Sequence, residues 1–273
     1  AFLTLKVRRT SIADFRSFVN RRKCCYSGKI MKYLNALNKI SGVGPQKFKL
    51  LLNFFGASEN IWKASLDDLI QARISDKLAE KVFEEKRTLN PDTEWEKLEK
   101  ENIQMITLKS LDYPRLLKES ANSPYIIYMK GDISILEDPA PLVSIVGSRK
   151  FTSYGAQATE TLARDLANAG MTVVSGMALG IDTFAHRGAL SAGGETIAVL
   201  GNSLDDKNIY PRNNFNLSRD ILENGLLLSE YPLETSAGPL TFPARNRIIA
   251  GLSLGTVVVE AGETSGALIT AEM

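Results

Sequence analysis

This sequence lacks the raw material for several common kinds of functional site. Its 273 residues include one histidine and two cysteines, Cys24 and Cys25, which are adjacent. Such a set cannot supply a zinc-type ligand group. No segment is apolar enough to span a membrane, and residues 1–30 have no apolar centre typical of a secretory signal. We therefore expect a cytoplasmic protein with no bound metal and no membrane partner.

Three well-known phosphate-binding or catalytic motifs are also absent. The sequence contains no G-x-G-x-x-G after its first β-strand pattern, no G-x-x-x-x-G-K-[ST] and no G-x-S-x-G. These absences argue against a dinucleotide-binding site of the Rossmann type, a P-loop that binds ATP phosphates and the nucleophile elbow of α/β-hydrolases. We predict no cofactor and no evident catalytic device.

The charge of the chain is nearly balanced, at a formal net +2. Residues 1–40 carry ten Lys or Arg against Asp14 alone, a net of +9, which leaves −7 for residues 41–273. Only local clustering of basic residues can therefore attract nucleic acid. We interpret residues 1–30 as a disordered or non-native basic extension, because they lack a periodic pattern and Met31 is a plausible start.

From about Leu142 onward, short apolar runs alternate with amphipathic stretches of helical period. The runs are Leu142–Val146, Thr172–Val174, Thr196–Leu200, Leu226–Leu228 and Thr256–Val259, with possible edge strands at Gln104–Leu108 and Tyr125–Met129. The helical stretches are Ser153–Ala169, Asp182–Ala192, Asn213–Glu223 and Ala244–Leu252. This alternation predicts an α/β fold with a doubly wound (Rossmann-like), mostly parallel sheet, whose ligands bind beyond the carboxyl ends of the strands.

The N-terminal part has a different pattern. Residues 31–100 read as a small all-helical domain, with helices at Lys47–Phe55, Trp62–Ala72, Asp76–Arg87 and Glu94–Asn102. The turn Leu37–Pro45 places Gly42 and Gly44 between two helices, as in a helix-hairpin-helix or SAM-like element whose turn amides can bind DNA phosphate. An ordinary structural turn explains the same glycines equally well. Residues 101–273 form the second domain, which we expect to be truncated within a helix beginning at Ser265.

Glycines and basic residues collect in the loops that follow the predicted strands. These loops include Gly147–Lys150, Ser175–Asp182, Gly201–Arg212 and Glu260–Gly266. Glycine lets the backbone approach a ligand, and exposed N–H groups can bind anions. We expect Gly147 and Gly176 to matter because a Cβ there would block the approach of a phosphate.

The segment Phe242–Ser253 is the most specific in the chain. Pro243 suits the first turn of a helix, so Arg245, Asn246 and Arg247 should project from a helix N-terminus, which favours anions. Two surface arginines held in salt bridges are the alternative. Together, the strand-end loops and this helix favour a single anionic site.

These motifs resemble the DNA-processing protein A family (DprA, also called Smf). The resemblance lies in Val146–Arg149, Gly176–His186, Tyr210-Pro211, Ser229–Pro232, Phe242–Ser253 and Val259–Ala261 with Ser265-Gly266, and it extends from about Leu37 to the end of the chain. One departure is Leu179, where relatives often carry a basic residue before Gly-Ile-Asp.

The resemblance implies a binding protein and not an enzyme. It implies single-stranded DNA and the RecA recombinase as partners, a role in loading RecA during natural transformation, and a homodimer that uses Leu217–Leu226 or the final helix. The expected DNA-binding residues that lie in these motifs are Gly147, Ser148, Arg149, Gly176, Tyr210, Phe242, Arg245, Asn246, Arg247, Ser265 and Gly266. Lys207 and Arg212 are added as basic residues of the strand-end loops. Tyr210 and Phe242 are candidates for base stacking, although core packing explains Phe242 as well.

An enzymatic alternative stays open. Asp182 and His186 are four residues apart and share a helix face, where they could form an acid/base pair. Asp182 also stands where an N-cap belongs, which accounts for it structurally. A nucleotide-processing enzyme of the lysine-decarboxylase-like (LOG) type would share the sheet, but its Pro-Gly-Gly-x-Gly-Thr-x-x-Glu motif is poorly matched here. Turnover of nucleoside monophosphates that depends on Asp182 or Glu260 would identify such an enzyme.

Overall fold

The computed structural model of the chain describes residues 28–137, 140–262, 266–271 and 273. Its strands are β1 (Gln104–Thr107), β2 (Ile126–Gly131), β3 (Leu142–Gly147), β4 (Thr172–Ser175), β5 (Thr196–Leu200), β6 (Gly225–Ser229) and β7 (Gly255–Val259). Its helices are α1 (Gly28–Lys39), α2 (Pro45–Phe55), α3 (Ser58–Lys63), α4 (Leu66–Gln71), α5 (Asp76–Thr88), α6 (Pro91–Lys100), α7 (Arg115–Glu119), α8 (Ser134–Glu137), α9 (Ser153–Asn168), α10 (Ile181–Ser191), α11 (Phe215–Asn224), α12 (Thr241–Leu252) and α13 (Gly266–Ala271). Of the basic extension predicted at residues 1–30, residues 1–27 lie outside the described residues. Residues 28–30 belong to α1.

The seven strands form one sheet in the order β1-β2-β6-β5-β4-β3-β7. β1 and β2 are antiparallel additions at one edge, and the other five strands are parallel. The doubly wound, mostly parallel sheet predicted from the sequence is therefore confirmed, and each predicted strand is present. No helix of the described residues has the length and apolar character needed to cross a bilayer.

The order of the strands creates a crevice between β3 and β7. From β3 the chain adds β4, β5 and β6 in one direction, and α12 then returns it to β7 on the other side of β3. Successive connections diverge at this point, which is where open α/β sheets bind ligands.

Both faces of the sheet are covered, which explains the near-continuous apolar runs. In β5, Ala198 and Leu200 pack in a core shared with α11 and the N-terminal helices, whereas Ile197 and Val199 pack in the core beneath α12. Alternate residues of a strand point to opposite faces, so a strand buried on both faces needs apolar residues at every position.

The helical region differs from its prediction at two boundaries. The helix predicted at Trp62–Ala72 is two short helices, because Ser65 starts α4 with a capping box in which its side chain accepts the N–H of Asp68. Pro91 is the first residue of α6, where its missing N–H is harmless, and Asn90 caps this helix. Between α1 and α2, Gly42 has φ +99 and provides the turn. This geometry is compatible with both interpretations of the helix-hairpin-helix pattern.

The helical region packs directly on the sheet. The buried hydroxyl of Tyr128 in β2 donates to Asn35 Oδ1 at 2.9 Å and accepts from Asn38 Nδ2 at 3.1 Å. The rings of Phe48 and Tyr125 stack with centroids 5.5 Å apart. One continuous hydrophobic core therefore crosses the boundary predicted near residue 100.

An ionic network reinforces the same junction. Glu94 on α6 is only 6% exposed. Its carboxylate accepts hydrogen bonds from Nζ of Lys39 at 2.5 Å and from Nζ of Lys97 at 2.8 Å. The same two lysines reach Glu234, in the loop after β6, at 2.7 and 3.1 Å. Burial opposes ionisation of Glu94, but hydrogen bonds from Lys39 and Lys97 outweigh it and hold its pKa below the usual range.

Replacing Glu94 with Gln should lower the free energy of unfolding by about 1–3 kcal/mol at pH 7, because two charge-assisted hydrogen bonds are lost. A carboxyl with a lowered folded-state pKa stabilises the fold above its unfolded pKa and loses that contribution as pH falls through its folded pKa. The deficit should therefore shrink between pH 5 and pH 3, as measured by urea unfolding. Glu96→Gln, an exposed change on the same helix, is the matched control. An equal deficit at both pH values would contradict the network.

Candidate functional site

An open groove of about 740 Å³ lies at the β3/β7 switch point. Its walls come from the ends of β3 and β7, the loop before α12, the first turns of α12 and the inner side of α13. The lining residues are Val146, Gly147, Ser148, Arg149, Lys150, Ala178, Asp182, Tyr210, Ala237, Gly238, Pro239, Phe242, Pro243, Arg245, Asn246, Ile249, Gly262, Gly266, Ala267 and Thr270.

Most of the predicted DNA-binding residues meet in this groove. The lining includes Gly147, Ser148, Arg149, Tyr210, Phe242, Arg245, Asn246 and Gly266. Four others do not line it: Gly176, Lys207, Arg212 and Arg247. Ser265 lies outside the described residues. Lys150 was not among the predicted residues, although it directly follows Arg149 in a loop that had already been singled out.

Arg245 forms the floor of the groove and does not project into solvent. Only 4% of it is exposed, and its Nη1 donates to the carbonyl of Gly176 at 2.6 Å and to that of Val199. Gly176 directly follows β4 and Val199 is the second-last residue of β5, so one guanidinium joins α12 to the ends of two strands. Burial lowers the pKa of Arg245 to about 10, although Asp182 pulls it upward, and the side chain keeps its charge at neutral pH.

The prediction that Arg245 and Arg247 project from a helix N-terminus is wrong. α12 begins at Thr241, which places both residues beyond its first turn. Arg247 forms a bidentate pair with Glu230, at 2.6 and 2.5 Å, and also donates to the carbonyl of Asn122. The salt-bridge alternative is correct for Arg247, which ties α12 to the loop after β6.

Asp182 and His186 do not form an acid/base pair. Nδ1 of His186 lies 2.7 Å from Thr196 Oγ1, which itself donates to the Val173 carbonyl, so Nδ1 carries the proton. Burial lowers the pKa of His186 to about 3, and the ring is neutral and fully enclosed. An imidazole that solvent cannot reach cannot exchange protons with a substrate in the groove.

Asp182 is not an N-cap either, because Gly180 holds that position. Its carboxylate accepts the N–H of Ala178 at 3.2 Å and closes the loop before α10. Burial raises the pKa of Asp182, while Arg245 and nearby backbone N–H groups oppose that rise. Its role in this geometry is to balance Arg245 and to fix the loop.

Arg149 and Lys150 supply the exposed positive charge of the groove. Both are exposed, and neither forms an ion pair with a described residue. Their loop is held by Ser148, whose hydroxyl donates to the Lys150 carbonyl at 2.5 Å and accepts its N–H at 3.0 Å. The arrangement is a pre-ordered cationic edge with free donors.

Two aromatic rings continue from Arg149 across the groove. The guanidinium of Arg149 lies 5.4 Å from the centroid of the Phe242 ring, and Phe242 is 5.7 Å from Tyr210. Tyr210 is 48% exposed, and Phe242 is partly exposed, so neither is a core residue. A cation and two rings in contact form a surface suited to an anionic, aromatic ligand.

Lys207 and Arg212 lie on the flank beyond Tyr210. Lys207 is exposed, and Arg212 donates to the Asp206 carbonyl at 2.7 Å while it covers the ring of Phe215 at 4.1 Å. Asp206 also binds Arg219 at 2.5 Å. The flank is therefore less positive than the predicted cluster of basic residues suggested.

The expectation that Gly147 and Gly176 leave space for a phosphate needs correction. A Cβ on Gly147 would overlap the Val259 carbonyl oxygen of the neighbouring strand and the side chain of Ile181. A Cβ on Gly176 would lie 2.5 Å from Nη2 of Arg245. Both glycines are required by packing inside the protein.

The N-terminus of α9 is also occupied from within. The carboxylate of Glu260 accepts the N–H of Thr152 at 2.8 Å and also its hydroxyl. These hydrogen bonds lower the pKa of Glu260. The carboxylate takes the place that an external anion would otherwise find at this helix start.

Among the described residues, no group of three or more His, Cys, Asp or Glu side chains could hold a metal ion. The groove instead presents guanidinium, ammonium and aromatic groups around an open space. Its chemistry suits reversible binding of a polyanion.

The chain is similar in sequence to known proteins. A sequence model of the family described as DNA recombination-mediator protein A matches residues 104–273. The chain is 42% identical over 243 residues to Protein Smf of Synechocystis sp., a match that covers 88% of this chain and 61% of that protein. The chain therefore spans about three fifths of the length of this curated relative.

Two solved structures extend the similarity to the fold. DNA processing protein A from Streptococcus pneumoniae superposes with a TM-score of 0.72 at 34% identity, covering 88% of this chain and 82% of the other. DNA processing protein A from Helicobacter pylori, whose structure is described as giving insight into its single-stranded DNA binding mode, superposes with a TM-score of 0.56 at 36% identity. That match covers 62% of this chain and 74% of the other.

Replacing Gly147 with Ala should destabilise the fold by roughly 3 kcal/mol or more, because the overlap is with a backbone atom that no rotamer change can move. Gly255→Ala is the matched control: it lies in the same β3–β7 ladder, with nothing within 4 Å of its ideal Cβ, and should change stability by less than about 0.5 kcal/mol. Thermal and urea unfolding measure both. A stable Gly147→Ala protein that has lost only ligand binding would restore the phosphate explanation.

Proposed function

The chain belongs to the DNA recombination-mediator protein A family, and we propose that it binds single-stranded DNA along the groove at the β3/β7 switch point. We place the DNA-binding domain at residues 101–273 and a helical domain at residues 31–100. The observation that carries the proposal is the contact of Arg149 with Phe242, and of Phe242 with Tyr210, beside the exposed Lys150, which forms no ion pair with a described residue. These groups offer charge for phosphates and ring faces for bases.

The groove offers separate groups for phosphates and for bases, which supports DNA binding with little sequence preference. Contacts to phosphate position a strand but do not read its bases. Stacking on aromatic rings accepts every base, because each base has a π-face. A duplex hides those faces, so a groove that uses both kinds of contact favours an unpaired strand.

Arg245 contributes to this binding from below. Its Nη1 is engaged with carbonyls, yet the group keeps its charge at neutral pH and lines the groove. The Ser148 hydroxyl and the Asn246 side chain are partly satisfied by the protein itself. Arg149 and Lys150 are therefore the principal phosphate contacts, and Lys207 and Arg212 extend the path beyond Tyr210.

The wider role that we propose is DNA processing during natural transformation, with loading of the RecA recombinase onto the bound strand. The family's description as a recombination mediator supports this role. Binding without catalysis fits the internal contacts made by Asp182 in the groove, by Glu260 beside it and by the buried single histidine of the chain. Asp182, Glu260 and His186 each have such a contact, and no observation favours the nucleotide-processing alternative.

We also propose that the chain acts as a homodimer, since two linked grooves would raise avidity for one strand. One predicted dimer surface, Leu217–Leu226, is unsuitable because Leu217, Ile221 and Leu226 are buried in this chain's own core. The final helix α13 is the better candidate, because Ala271 on it is exposed and does not line the groove.

Arg149→Ala should weaken binding of a thymidine oligomer about tenfold or more and should lower the slope of log affinity against log salt by about one phosphate's worth. Arg164→Ala is the matched control, because it removes the same charge from the far half of α9. Fluorescence anisotropy at two or more salt concentrations, with and without duplex competitor, measures both effects. Equal affinities for the parent and Arg149→Ala would place the DNA elsewhere.

A further inference from the structure

A second aromatic surface lies on the other side of Arg149, outside the groove. We define the outer shelf as Phe151, Tyr154 and Leu179. Their exposed fractions are 43%, 80% and 43%, and none of them lines the groove. Exposed apolar side chains are ordinary when scattered, but a cluster on a fixed loop indicates a contact surface.

The three residues belong to two segments that touch. Gly180, next to Leu179, is so close to the Arg149 loop that an ideal Cβ on it would lie 2.9 Å from Cα of Arg149. Phe151 packs edge-on against Phe184 of α10, with ring centroids 4.9 Å apart. The shelf therefore continues from the cationic edge of the groove onto the start of α9 and α10.

Hydrogen bonds hold the backbone on both sides of Phe151. Ser148 closes the turn through Lys150, and Thr152 is fixed by Glu260 and by the N–H of Gly155 at 3.1 Å. The Phe151 ring also packs against Phe184. A surface that is already ordered loses little entropy when a ligand binds to it, which raises affinity.

The charged and aromatic groups next to the outer shelf indicate which kind of ligand it binds. Arg149 and Lys150, which have no described ion-pair partner, directly precede Phe151 in the chain, and Arg149 lies against the ring of Phe242. A ligand on the shelf therefore meets aromatic faces, then two cations, then aromatic faces again. Single-stranded nucleic acid is a polymer that repeats an anion and a planar ring in every unit, and it matches this alternation.

We propose that the outer shelf stacks unpaired bases of the strand whose phosphates cross Arg149 and Lys150. This inference rests on the proposed function and extends the binding site beyond the groove, onto the start of α9. Tyr154 provides the main stacking face, because it is the most exposed aromatic ring among the described residues and its side chain makes no hydrogen bond or ring contact with one of them. Phe151 and Leu179 complete the apolar surface beneath the bases.

The test compares two labelled oligomers with the same number of phosphates, one of thymidine and one abasic. Tyr154→Ala should bind the thymidine oligomer about tenfold more weakly, as is typical of losing one stacked base, and should bind the abasic oligomer as the parent does. Its salt dependence should not change, because no charge is lost. Tyr154→Phe keeps the ring and should retain parental affinity.

The possible failures are distinguishable. If Tyr154→Ala binds both oligomers like the parent, or loses affinity equally for both, the shelf does not hold bases, while the groove proposal stands. If the parent protein binds neither oligomer, the proposed function itself is wrong. If Tyr154→Ala changes only the molar mass in light scattering, the shelf is a contact between copies of the chain, and the stacking proposal is overturned.

Discussion

The groove depends on one buried guanidinium. Arg245 reaches from α12 through the carboxyl edge of the sheet and binds the carbonyls of Gly176 and Val199, so the ends of β4 and β5 and the helix that returns the chain to β7 are fixed together. A buried cation is tolerable only with polar partners, which these carbonyls and the nearby Asp182 provide. Gly176 must be glycine because the guanidinium occupies its Cβ position. The positive floor of the groove is thus a product of the packing that closes the fold.

The protein's own carboxylates fill positions that an external anion could otherwise occupy. Glu260 satisfies the start of α9, Asp182 closes the loop before α10, and Glu230 holds Arg247. Because these carboxylates and Arg247 are held in internal contacts, Arg149 and Lys150 are the exposed cations of the groove. The net charge of −7 on residues 41–273 does not prevent local attraction of a polyanion, because Arg149 and Lys150 are adjacent and exposed at the groove and form no ion pair with a described residue.

How much the sequence could predict differs between fold and site. Strand identity followed from the apolar runs, because a sheet covered on both faces imposes them, and the glycine-rich loops marked the correct edge. The environments of individual side chains could not be predicted. Arg245, Arg247 and Arg149 are the same residue type in segments that the sequence singles out, yet one is buried, one is paired and one is exposed. That distinction depends on which carbonyl or carboxylate tertiary packing brings near. The roles of Gly147 and Gly176 could not be predicted either. A glycine that leaves space for a ligand and one that leaves space for a neighbouring protein atom have the same sequence pattern.

The helical region supports one wall of the groove, whether or not the turn between α1 and α2 binds DNA. Asn38 donates to the Glu230 carbonyl at 3.2 Å, and Lys39 and Lys97 bind Glu234. Glu230 also holds Arg247, and the loop that begins there supplies the groove wall at Ala237, Gly238 and Pro239. The helical region therefore holds, at Glu230 and Glu234, the loop whose later residues line the groove. Residues 28–100 brace one wall of the groove, which gives a physical reason for a small helical bundle to be joined to this sheet by a shared core and not by a flexible linker.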